Sequence, residues 1–72
     1  MATASGRISV VQEGRFRLLT DGGQGLLLTL GHDASVDDAE LQELHARNTH
    51  VVVEYDGEPN LASGVARRIR SV

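Results

Sequence analysis

Arginine is the residue type in this chain best suited to binding chemistry. All seven basic side chains are Arg and none is Lys. Arg7, Arg15 and Arg17 fall in two early stretches, and Arg67, Arg68 and Arg70 fall near the end. A guanidinium pairs bidentately with phosphate or carboxylate and stacks on flat rings, a geometry an ammonium lacks. Arg15 and Arg17 alternate with Phe16 and Leu18, so a strand there sets both guanidinium groups on one face and the apolar pair on the other. With Tyr55 as a ring bearing a polar tip, these six Arg residues form the candidate nucleic-acid set. The competing reading of the Arg residues is a solvated face ion-paired to neighbouring acids.

Other chemistries find less support. The net charge of −3 argues against a generic polyanion binder. The acids gather in two places: Asp33, Asp37, Asp38, Glu40 and Glu43, then Glu54, Asp56 and Glu58. His32, His45 and His50 could in principle offer nitrogen ligands to a metal, but no pair has ligand spacing on one element and there is no Cys. Ser5, Ser9, Ser35, Ser63 and Ser71 lack a nucleophile-elbow context. Asp37 and Asp38 sit at a helix start, where the dipole keeps carboxylates ionised. Gly22, Gly23 and Gly25 open no helix and read as a hairpin, not a phosphate loop. The expectation is a protein without enzyme activity, metal or cofactor.

The elements that would position the Arg residues are well punctuated. Residues 6–12 alternate Ile8 and Val10 inward against Arg7, Ser9 and Val11. Glu13-Gly14 is a tight turn, residues 15–20 form a second strand, and Asp21-Gly22-Gly23 is a hairpin turn. A third strand over 24–30 sets Leu26, Leu28 and Leu30 on one face, with Leu27 on the other. A helix follows, capped by Ser35 with Asp38 reaching back, and stopped at Asn48. Its apolar stripe of Val36, Leu41 and Leu44 is narrow, which suits a plug at the open end of a barrel. Residues 50–55 and 61–70 are the last strands, with Gly64 as a bulge or bend; Arg67 falls in phase with the apolar Val65 and Ile69, so either a bulge resets the register or Arg67 lies near the barrel mouth.

The order β-β-β-α-β-β in 72 residues predicts a mainly β fold with one helix, the five-stranded Greek-key OB-fold barrel. Residues 6–72 form the single domain, and residues 1–5 read as a disordered tail. In that barrel the first strand can neighbour both the second and the last, which would bring six Arg residues to one side. No apolar run approaches the ~20 residues that span a bilayer, and the N-terminus has no secretory pattern. A soluble cytoplasmic protein is expected.

The stretches Gly6-Arg7-Ile8, Phe16-Arg17-Leu18, Asp21-Gly22-Gly23, Leu61-Ala62-Ser63-Gly64 and Ile69-Arg70 together resemble bacterial translation initiation factor one. That resemblance covers most of residues 6–70 and implies a single OB-fold that binds the small ribosomal subunit. Residues 14–21 and Leu30-Gly31-His32-Asp33-Ala34 also look like short uncharacterised bacterial proteins, which implies a bacterial origin and no activity.

Two functions fit. The first is a module for RNA or single-stranded DNA, gripping phosphates through the Arg face with limited stacking. The second is a protein-interaction module using exposed apolar residues such as Val11, Leu19, Leu27 and Val52. The fold's commonest use places the oligonucleotide first.

Overall fold

The computed structural model describes residues 2–57 and 63–72. Five strands, β1 (Ala2–Gln12), β2 (Arg15–Thr20), β3 (Gly25–Leu30), β4 (His50–Asp56) and β5 (Ser63–Ser71), close into a barrel, with helix α1 (Asp38–Ala46) between β3 and β4. Around the barrel the order is β1-β2-β3-β5-β4. Among the described residues, only β3 and β5 pair in parallel. The predicted element order and the mainly β barrel are therefore observed.

Alternation along the strands builds the core. Ile8, Phe16, Leu18, Leu26, Leu28, Val51, Val53, Ala66 and Ile69 point inward, and Leu41 of α1 closes one end with no exposed surface. The hairpin between β1 and β2 has Glu13 and Gly14 both at positive φ, 44° and 77°, as a two-residue turn of the primed type requires.

The helix is punctuated differently from expectation at its start and as expected at its end. Asp37, not Ser35, is the N-cap, its Oδ1 accepting from the Glu40 amide at 2.9 Å. Ser35 is used elsewhere: its hydroxyl donates to the Ile69 carbonyl at 3.2 Å and accepts from the Ile69 amide at 3.0 Å. It satisfies β5 where β3 has ended. At the other end Asn48 takes φ 51°, its amide bonds the His45 carbonyl, and the Thr49 amide bonds the Leu44 carbonyl. That pair of bonds is the Schellman stop.

Four expectations are corrected. Residues Ala2–Ser5 are not a disordered tail, because they pair in register with Val52–Tyr55 of β4. The first strand does not neighbour the last; β1 lies between β2 and β4, while β5 lies between β3 and β4. The bulge in β5 falls at Arg67, since Glu54 pairs with Arg68 and Tyr55 with Ala66. Gly64 instead lets the backbones of β5 and β4 approach, because a Cβ there would lie 2.5 Å from the Asp56 carbonyl oxygen and 2.9 Å from the Tyr55 ring. Finally, Ser9 is an extra residue between the pairs Ile8–Leu18 and Val10–Arg17. This bulge inverts the phase of β1, so Val10 faces out (44% exposed) and Val11 packs on the core. Leu61 and Ala62, assigned to the last strand, lie outside the described residues, as does Glu58.

Candidate binding face

The outer surface of β1, β2 and β3 is built in three cross-strand rows. Arg7 sits opposite Leu19 and Leu19 opposite Gly25; Val10 opposite Arg17 and Arg17 opposite Leu27; Gln12 opposite Arg15 and Arg15 opposite Thr29. None of the three strands contains an acidic residue. Val10, Leu19 and Leu27, at 44%, 48% and 57% exposure, are the exposed large apolar side chains of the described strands, and all three stand here. Isolated exposed apolar residues are ordinary, and here three of them gather on one small face.

The predicted Arg set splits into two groups. Arg15 and Arg17 stand on the acid-free face, and neither has an acidic partner among the described residues. Arg7 shares the face, with its Nε donating to the Asn48 carbonyl at 3.3 Å. On the opposite wall Arg67 and Arg68 are engaged by acids. Arg67 donates from Nε to Asp56 and from Nη1 to Asp33, both at 2.9 Å. Arg68 lies 3.5 Å from Glu54. Arg70 lines a groove between α1 and β5 together with Glu40 and Glu43. The six Arg residues therefore do not share one side, because β3 separates β5 from β2.

The aromatic residues lie off the face as well. Phe16 is 1% exposed inside the barrel. Tyr55 is half-buried on β4 and packs against the core. Sequence reasoning placed Arg15, Arg17, Leu19 and Leu27 on the outside, as observed. It missed Val10, whose outward turn depends on the Ser9 bulge; a period-two pattern carries no signal for that bulge.

A second cluster was not read from the sequence. Asp21, in the β2–β3 turn, accepts from the Ser5 hydroxyl at 2.9 Å and from His50 Nε2 at 3.0 Å. Serine and histidine both address the carboxylate, so the histidine is not placed as a base for the serine, and the three groups act as a clasp joining β1, the turn and β4. His45 likewise serves structure, its Nε2 proton meeting the Ser9 carbonyl at 3.1 Å at the bulge. Among the described residues no three His, Asp or Glu side chains converge as metal ligands.

Two carboxylates are held below the usual carboxylate range. The hydrogen bond from His50, then that from Ser5, lowers Asp21; the hydrogen bond from Arg67 lowers Asp33. A carboxyl whose folded pKa is depressed contributes stability above its unfolded value and loses it as pH falls through the folded value. Stability should therefore decline as the pH falls from about 5 through the lowered folded values. Urea midpoints across that range check this. The Asp21→Asn/Asp33→Asn protein should show a flatter acid slope than the parent, and an unchanged slope would remove the two contacts from the account.

No protein-family model matches this chain, and no curated protein matches it. Among solved structures it is similar to Ag(I)CusF, with 10% sequence identity over 99% of this chain and 96% of that one, at a TM-score of 0.65. At that identity the likeness establishes the fold alone. It supports the small five-stranded barrel, and no sequence-family match stands behind the resemblance to initiation factor one.

Proposed function

We propose that this chain is a non-catalytic docking module that binds a protein partner through the outer face of β1, β2 and β3. The observation that carries the reading is the coincidence, on strands that carry no acid, of Val10, Leu19 and Leu27 with Arg7, Arg15 and Arg17. Arg is enriched at protein interfaces and among the side chains that dominate their energy, and apolar groups supply the desolvated centre.

The oligonucleotide reading rests on the same Arg15 and Arg17, free of acidic partners among the described residues, and on the fold's frequent use. It takes second place because single-strand surfaces draw about 1–3 kcal/mol per base from aromatic stacking. Both described aromatic rings are withdrawn from the face, and the chain is acidic overall. The silver of Ag(I)CusF suggests no third reading for this chain. Soft metals select thiolate and thioether ligands, and this sequence has no Cys and a single Met.

A photoreactive residue placed at Leu27 should crosslink in cells to a discrete protein, and one at Arg68 should not. With that protein purified, Arg15→Glu/Arg17→Glu should weaken binding at least ~10-fold. Both side chains are exposed, so the circular dichroism spectrum should be unchanged. An unaltered affinity in the double variant would refute the face. Micromolar, salt-sensitive binding of labelled single-stranded RNA or DNA, with no protein adduct, would put the oligonucleotide reading in its place.

A further inference from the structure

The face contains a slot whose size and rim specify the partner segment. Val10, Gln12, Arg15, Phe16, Arg17 and Leu27 line an open groove of about 230 Å³, below the ~300–1,000 Å³ typical of small-molecule sites. A groove of that size has room for an aliphatic side chain of a partner segment. The walls at Val10 and Leu27 are apolar and exposed, and they lie on either side of Arg17, from β1 and from β3.

The rim is cationic along β2. Arg15 stands one outward position from Arg17 on the same strand. The Arg17 guanidinium reaches over β3 at Gly25, where a Cβ would lie 2.8 Å from Nη2 and 2.9 Å from Nε. Gly25 thus provides the bare backbone on which this side chain lies flat. Arg15 and Arg17 both line the slot, the Arg17 guanidinium leaning toward Gly25, and none of the surrounding strands carries an acid.

Resting on the docking reading above, we infer that this slot anchors one aliphatic side chain of a partner segment in which Asp or Glu stands close to that side chain. The aliphatic group contacts Val10 and Leu27 while the flanking carboxylates pair with Arg15 and Arg17. Carboxylate–guanidinium pairs are directional and short, so they set the segment's register while burial of the aliphatic group supplies affinity. An acidic segment without the aliphatic residue leaves the apolar walls in water, and an apolar segment without acids leaves two guanidinium groups unpaired.

The test is an NMR titration of isotope-labelled protein with three probes: a peptide of Asp-Leu-Glu-Leu repeats, the same peptide with every Leu replaced by Ser, and a (dT)12 oligonucleotide. The expected result is saturable shifts at the Val10, Arg17 and Leu27 amides with the first peptide. The Leu-free peptide should bind at least 5-fold more weakly, and Leu27→Gln should reduce the affinity for the first peptide by a similar factor. Equal binding of the two peptides on this face would overturn the slot inference while leaving the docking face standing. Shifts confined to β4 and β5, shifts with (dT)12 alone, or no shifts at all would overturn both.

Discussion

Phe16→Ala is expected to cost about 3–5 kcal/mol, the range for deleting a buried aromatic side chain. Phe16 is 1% exposed and belongs to the single cluster that fills the barrel. A chain of 72 residues has a total stability of roughly 4–11 kcal/mol, so most of it is at stake. Each kcal/mol corresponds to about 4–8 °C at this size, and the midpoint should fall by roughly 12 °C or more. Thermal melts followed by circular dichroism decide the matter, with Leu27→Ala as the control. Leu27 is on the same sheet but 57% exposed, and its truncation should stay within about 0.5 kcal/mol of the parent. A Phe16→Ala protein that melts beside the Leu27→Ala protein would mean that the barrel interior is not packed as described. The two variants also separate roles: Phe16 holds the strand that displays Arg15 and Arg17, whereas Leu27 works only on the face.

Local patterning made most of this fold legible. The alternation of Arg15, Phe16, Arg17 and Leu18 and the three-Leu face of β3 are period-two signals that survive in the barrel because one side of each strand is packed. Asn48 was readable as a stop because few residues other than Gly accept a left-handed backbone. Decisions made by distant partners were not readable. Ala2 to Ser5 have small side chains with no pattern of their own, and only the pairing with β4 makes them a strand. Ser9 has no feature of a bulge residue; it becomes one because β1 must bend to serve β4 with its first half and β2 with its second. Placing β5 beside β3, which separates Arg67 and Arg68 from Arg15 and Arg17 and leaves them to Asp33, Asp56 and Glu54, is a topological fact with no local signature. The candidate face was thus visible on β2, on β3 and at Arg7 of β1, and invisible at Val10 beyond the Ser9 bulge.

Gly6→Ala should be as damaging as the loss of Phe16, by the opposite mechanism. Gly6 is buried where β1 pairs on both sides, with Thr20 of β2 and Val51 of β4. A Cβ there would run into the Leu19 carbonyl oxygen and lie 2.7 Å from Thr20 Cα and 2.8 Å from the Leu19 carbonyl carbon. All three atoms are main chain, so no side chain can rotate away, and β2 is tied in place by the bond from the Asp21 amide to the Ser5 carbonyl at 2.9 Å. Overpacking typically costs about 1–3 kcal/mol when side chains can yield; against main chain the loss should be about 3 kcal/mol or more. Gly22→Ala is the matched control, since its nearest neighbour would be Thr20 Oγ1 at 3.9 Å, and it should be near neutral. Urea midpoints of the two variants give the answer, and equal stability would show that β1 and β2 do not approach so closely. The same strain bears on binding, because the residue after Gly6 opens the row Arg7–Leu19–Gly25. Prying β1 from β2 at that point should weaken docking at this end of the face first, leaving the Val10–Arg17–Leu27 slot, beyond the Ser9 bulge, the last part to lose its partner.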